Sequence, residues 1–393
     1  MHVAQISFFA DLAQRAPEEL LEAWPSLVDI AECAASSGVR VSVIQASTHT
    51  RTLHIDGISY YFLPMGRATP NDPSGALPGL LRDLLPDVFH VHGLGFPQDV
   101  HQLSRLAPDS PILLQDHAGA LPRFWRRMAW RRAAAVISGV AFCSRQQSRR
   151  YVDAGLLQAR LPVYEIPECS SRFTPGNREE ARRALDVTTA APLILWVGHL
   201  NDNKDPLTVL EGVSQAARNL PKAQLWCCFG TAPLLTAVRK RIDRDPLLRD
   251  RVHLLGSVNH AEVETLMRAA DLFVLGSHHE SGGYALIEAI ACGLPPVVTD
   301  IPSFRALTGQ GTAGMLWPPD DSRSLCEALL TMADRITPPA RAAVRAHFDA
   351  ELSFESVGRK LADAYHDLLR RKQTPISEYG SPRPRWLRRE VRP

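Results

Sequence analysis

No apolar run in the 393-residue chain reaches the roughly 20 residues that a membrane-spanning helix needs. The first residues, "MHVAQISFFADLAQRAPEE", lack a basic start followed by a long apolar core, so no secretory signal is expected. Cysteine is scarce: there are seven, an odd number, and no pair has the CxxC spacing. That excludes a disulfide framework and a zinc ribbon and leaves reduced, mostly buried thiols in a cytoplasmic protein. Surplus charge is also missing. Lys and Arg number 44 against 42 Asp and Glu, so nothing global points to nucleic acid. Neither GxGxxG nor GxxxxGK[ST] occurs, so a standard dinucleotide site and a Walker A site are not expected, and a dehydrogenase is disfavoured. The histidines at 90, 92, 117, 278 and 279 lack a zinc-ligand spacing, and the "DRD" at 243–245 precedes a strand rather than following one. No metal and no cofactor is therefore expected.

What the chain does have is length for two cores and a normal globular balance, 45% apolar and 22% charged. Short apolar runs alternate with helical patterns throughout. In the first half "HVAQISFF", "RVSVIQA", "ISYYFLP", "VFHVHGLG", "PILLQDHAG", "AAVISG" and "PVYEIP" read as strands, and one helix is expected from about Pro17 to Ser37. The rhythm restarts at "APLILWVGHL" and continues through "AQLWCCFG", "VHLLG", "LFVLGS" and "PPVVTD", with helices at 206–217, "AEVETLMRAA", "ALIEAIACG" and "SRSLCEALLTMADRI". Such alternation predicts an α/β protein of two doubly wound, Rossmann-like domains facing a cleft. The expected limits are 1–185 and 186–350, with a linker near 174–191. A helix at 351–370 follows, and then a tail at 371–393. That tail has seven basic residues, two acidic ones and four prolines, and reads as disordered.

Ligands of such sheets bind beyond the strand C-termini. Chemistry-bearing residues cluster there: His92 and Gly93, His117, His199 to Lys204, and Glu280 to Gly283. In "SHHESGGYALIEA", Gly282 and Gly283 stand directly before a helix whose first amides lack internal partners. Such amides favour an anion, for which a diphosphate is a natural guest. Ser281 and Tyr284 flank the glycines. Glu288 lies about one turn into that helix among Leu286, Ile287, Ala289 and Ile290, so its carboxylate needs a bonding partner, and ribose hydroxyls would serve. Lys204 can meet the diphosphate from the other side, stabilising a phosphate that gains charge as it leaves. His199, in the same loop, can donate to phosphate or cap a strand end.

The segments "VGHLNDNKDPLTVLEGV" and "ADLFVLGSHHESGGYALIEAIACGLPPVVTDIP" resemble the retaining, nucleotide-sugar-dependent glycosyltransferases of family 4, which have the GT-B fold. "IPECSSRFTP" is similar to that family's entry into the second domain, where Asn normally follows the Pro. The resemblance extends to about residue 370 and is strongest over 192–320. It implies a UDP-, GDP- or ADP-sugar donor and transfer to a saccharide, lipid-linked or small-molecule acceptor. It further implies that Glu288 binds ribose, that Glu280 contacts the donor sugar, and that Gly282 and Gly283 approach sugar and phosphate. Lys204 would hold the diphosphate, with Gly198, His199, Ser281 and Tyr284 around it, and His117 would lie near sugar and acceptor. His199 stands where the family commonly has Arg, and "SFFADLAQ" lacks its paired glycines. A GT-B sugar phosphorylase, a nucleotide-sugar epimerase and an inactive nucleotide- or saccharide-binding protein are the alternatives. "LPRFWRRMAWRR" has five arginines and no acid between Arg123 and Arg132, either as a solvated helix packing Phe124, Trp125 and Met128 inward or as a peripheral membrane contact at the inner face.

Overall fold

A computed structural model describes residues 1–65, 76–117, 121–122, 127–187 and 192–373. The basic tail beyond Gln373 and the Arg123 end of the arginine-rich stretch lie outside the described residues.

The first layer of strands is β1 (His2–Ser7), β2 (Arg40–Ala46), β3 (Arg51–Ile55), β4 (Ile58–Leu63), β5 (Val88–His92), β6 (Ile112–Gln115), β7 (Gly139–Phe142) and β8 (Val163–Glu165). Their order is β3-β4-β2-β1-β5-β6-β7-β8, parallel except at β3–β4. β1, β5, β6 and β7 are buried along their whole length, as strands covered on both faces must be. The order reverses between β1 and β5, so the loops after these two strands flank a crevice.

Four expectations need correction in this half. The helix from Pro17 to Ser37 is two helices, α1 (Pro17–Ala23) and α2 (Pro25–Ser36), because Trp24 before Pro25 leaves the helical region (φ −124°, ψ 67°). "AAVISG" is not a strand: Ala133 and Ala134 end a helix, Arg127–Ala134, and β7 begins only at Gly139. In that helix Trp130 is buried while Met128 is exposed, so Met128 does not pack inward. Strand β3 was not expected. It is an exposed edge, joined to β4 by Asp56–Gly57, both with positive φ, in a two-residue hairpin turn.

The second sheet is wholly parallel: β9 (Leu193–Val197), β10 (Gln224–Cys228), β11 (Val252–Gly256), β12 (Leu272–Leu275), β13 (Pro296–Thr299) and the unforeseen β14 (Met315–Trp317), ordered β11-β10-β9-β12-β13-β14. Its switch point lies between β9 and β12. The short helix at Arg178–Ala184 packs on the helix at His260–Ala269 and buries Ala181 in the second core. These residues therefore go with the second layer, although the boundary at 185 assigned them to the first. The final helix, Phe354–Gln373, packs on α2, and its Tyr365 hydroxyl lies 2.8 Å from Nδ1 of buried His90. All seven cysteines are free, and six are buried.

One buried charge cluster joins the start of the second sheet to its helices. Asp271 takes hydrogen bonds from Arg178 (2.7 Å), Arg182 (2.5 Å) and the first amide of β9 (2.8 Å), and its side chain is 1% exposed. Removing one member of a buried pair strands the other charge, at a cost of about 3–5 kcal/mol. Asp271→Ala is thus expected to lower the urea unfolding midpoint strongly. A midpoint within error of wild type would contradict that reading of the cluster.

Candidate active site

Beyond the switch point of the second sheet is a cavity of about 320 Å³, lined by Gly198, His199, Lys204, Glu280, Gly283, Tyr284 and Glu288. Ser281 and Gly282 lie in the same loop without lining it. The loop after β9 and the loop after β12 are tied together. His278 N–H donates to the Asn203 carbonyl (2.8 Å), and Asn203 Nδ2 donates to the His279 carbonyl (2.9 Å).

The helix Tyr284–Ala291 begins after Gly283, which sits in the left-handed region (φ 58°, ψ 46°). A side chain there would be strained, and its Cβ would come within 3.0 Å of Leu307 and 3.1 Å of Phe304. Glycine therefore suits the turn that starts this helix at the edge of the cavity. Lys204 and Glu280, expected to meet phosphate and sugar, form an ion pair with each other, both largely buried. Glu288 is also paired: its Oε1 is 2.6 Å from His260 Nε2, and this hydrogen bond raises the His260 pKa. His199 accepts from Thr231 N–H through Nδ1 (3.2 Å), leaving Nε2 to carry its proton.

A larger cavity, about 780 Å³, lies at the switch point of the first sheet, lined by Phe8, Phe9, Trp24, His92, Phe96 and His117 among others. Strand β6 ends at Gln115, so Asp116 and His117 are free of strand alternation. Asp116 turns inward to Tyr151 and Arg150, while His117 points to the cleft side. Both ring nitrogens of His117 are engaged, Nε2 with His92 Nδ1 (3.1 Å) and Nδ1 with Glu168 Oε2 (3.1 Å). A ring nitrogen reaches a sugar only if one of these contacts opens.

Sequence reasoning missed the residues by which the first domain grips the loop at 279–284. Gln147 Nε2 donates to the Glu280 carbonyl (2.8 Å). Arg150 donates to His279 Nε2 (3.0 Å), whose pKa is lowered by burial and then by that guanidinium. The Tyr284 hydroxyl meets Ser26 and Cys169. Only the charge in "IPEC" signalled Glu168, and nothing local signalled His260. Asp205, His278 and Asp320 also bring three ligand-type atoms within 4.8 Å of one another beside this loop.

Two Rossmann-like sheets in succession are the architecture of the GT-B fold. Solved structures agree on the fold. Sucrose-phosphate synthase from Thermosynechococcus elongatus superimposes with a TM-score of 0.67 at 20% identity, over 94% of this chain and 99% of that one. Anabaena HepE in complex with UDP does so with a TM-score of 0.67 at 18% identity, over 93% and 100%. Residues 177–340 match the family described as "Glycosyl transferases group 1". A GDP-mannose:cellobiosyl-diphosphopolyprenol alpha-mannosyltransferase of Xanthomonas oryzae pv. oryzae is 25% identical over 294 residues, 72% of this chain and 74% of the relative. A D-inositol 3-phosphate glycosyltransferase of Geodermatophilus obscurus is 31% identical over 180 residues, 43% of this chain and 40% of the relative. The match over residues 177–340 and these relatives together support a glycosyltransferase of the GT-B class.

Proposed function

We propose that the protein is a retaining, metal-independent hexosyltransferase that takes its sugar from a UDP-, GDP- or ADP-sugar and passes it to a hydroxyl of a glycan or lipid-linked acceptor. The observation that carries this reading is the second-domain cavity, where the helix Tyr284–Ala291 starts after Gly283 beside Lys204 and Glu280, with Glu288 one turn further on. A diphosphate entering it would take the ammonium of Lys204 from Glu280 and meet the helix amides. Glu280 would then be free to accept from sugar hydroxyls, and Glu288 from ribose. The nucleotide-sugar part also draws support from the family match.

With donor bound, Glu280 is engaged by sugar hydroxyls and Glu288 by ribose in this reading, which leaves neither as the nucleophile. The step we favour runs on one face. The bond from the anomeric carbon to the β-phosphate oxygen breaks as the acceptor oxygen bonds to that carbon, and the departing phosphate takes the acceptor's proton. The aromatic lining of the first-domain cavity (Phe8, Phe9, Trp24, Phe96) suits a sugar ring or a prenyl chain. No helix among the described residues is long and apolar enough to cross a membrane. Peripheral contact through Arg127, Arg131 and Arg132 is part of the proposal, and flotation with anionic vesicles reads it directly.

The name of the Xanthomonas relative makes GDP-mannose with a diphosphopolyprenol-linked disaccharide the first pair to test, followed by UDP-glucose and ADP-glucose. The expected product carries the donor's anomeric configuration by NMR, and turnover persists in EDTA. Inverted product, a trapped glycosyl-carboxylate, or activity lost in EDTA and restored by a divalent ion would overturn the corresponding part. The last result would point to Asp205, His278 and Asp320.

A further inference from the structure

Glu168 is a buried carboxylate that the transfer scheme above does not use. It lies just past β8, on the segment that leaves the first sheet for the second, and its side chain is 4% exposed. Oε2 is 3.1 Å from His117 Nδ1, and Oε1 is buried without a hydrogen-bond partner. The Gly282 backbone presses on it: a Cβ at 282 would lie 2.9 Å from Oε2. Withdrawing a carboxylate from water costs several kcal/mol unless its oxygens are satisfied. Packing alone therefore gives a poor account of an acid at this junction of both domains.

The hydrogens can be placed. An ionised carboxylate only accepts, so the Nδ1 of His117 carries a proton. Nε2 of the same ring faces Nδ1 of His92. Burial, and then His90 and His117, push the His92 pKa well down, so His92 is neutral. A single hydrogen bond then links the two rings, His92 Nδ1–H donating to His117 Nε2. Its other nitrogen, Nε2 of His92, is buried with no partner, so the string ends there.

We propose that Glu168 is a positioning residue for the transfer: it fixes the Nδ1–H tautomer and the ring orientation of His117 where the first-domain cavity meets the Gly282 loop. The effect on turnover rests on the transferase reading above, whereas the effect on the ring does not. Misplacing a group beside a reaction centre by about 1 Å can cost on the order of 100-fold. Glu168→Gln keeps the shape, removes the charge and can present an N–H to Nδ1.

The test uses full-length protein with ¹⁵N-labelled histidine, His117 being assigned from the signal missing in His117→Gln. Wild type should show the Nδ1–H form, and Glu168→Gln should shift or mix the tautomers. In the variant kcat should fall about 10- to 100-fold, with KM for the sugar donor and Kd for GDP or UDP within about threefold, and Glu168→Asp should recover part of the loss. An Nε2–H form in wild type overturns the assignment without any variant. An unchanged tautomer in Glu168→Gln, or an altered one with unchanged kcat, overturns the positioning role. Failure of wild type to bind GDP, UDP or ADP would instead sink the nucleotide-sugar reading, and the tautomer result would still decide the structural half.

Discussion

Replacing Glu288 with Ala is expected to weaken GDP or UDP binding by about 10- to 100-fold in calorimetry. A hydrogen bond to a charged group contributes about 1.5–3 kcal/mol net, and each 1.4 kcal/mol is tenfold in affinity. The carboxylate is 16% exposed, on a helix whose neighbours Leu286, Ile287, Ala289 and Ile290 are buried. Its present partner, His260, is 70% exposed and so holds it weakly. The His260 pKa is raised by the Glu288 hydrogen bond. This pair therefore adds stability below the imidazole's ordinary range and loses it as pH rises through the folded value. Nucleotide affinity should hold or improve from pH 6 to pH 8, as His260 releases Glu288. His260→Ala is the control: it removes the competitor and should leave affinity equal or slightly higher. Equal binding by wild type and Glu288→Ala would end the ribose assignment.

Lys204→Ala is expected to lower kcat by about 100- to 1000-fold, the usual loss when a fixed group that stabilises developing charge is removed. The ammonium now faces Glu280, so the variant also leaves a largely buried carboxylate without its partner. The double variant Lys204→Ala/Glu280→Ala separates the two effects. If Lys204 acts on the leaving diphosphate, the double variant stays as slow as the slower single variant. If its role is only to neutralise Glu280, removing both charges restores much of the rate. Nucleoside diphosphate release under saturating donor measures both.

The two-sheet plan was readable because both cores are built from short apolar runs that end in glycine or charged residues. The turn at Gly282–Gly283 was readable between an apolar strand and an apolar helix, while its role toward a donor came only from the resemblance. Less could be read where tertiary contact decides. The Trp24–Pro25 break carried its own signal in Pro25, but the helical periodicity continues across it. β3 has too little buried surface to show alternation, although Asp56–Gly57 marks its turn. Lys204 with Glu280, and Glu288 with His260, are 76 and 28 residues apart, so their pairing has no local trace. The same holds for Glu168 and His117, which meet only because the crossover after β8 returns beside the end of β6.

The most direct test of the donor site is hydrogen–deuterium exchange of the wild-type protein with saturating GDP, UDP and ADP in turn. The account predicts that at least one nucleotide slows exchange in peptides spanning 198–204 and 282–288, the loop and the helix start that border the second-domain cavity. No protection in either segment with any of the three, or protection confined to the first-domain cavity around Phe8 and His92, would contradict it.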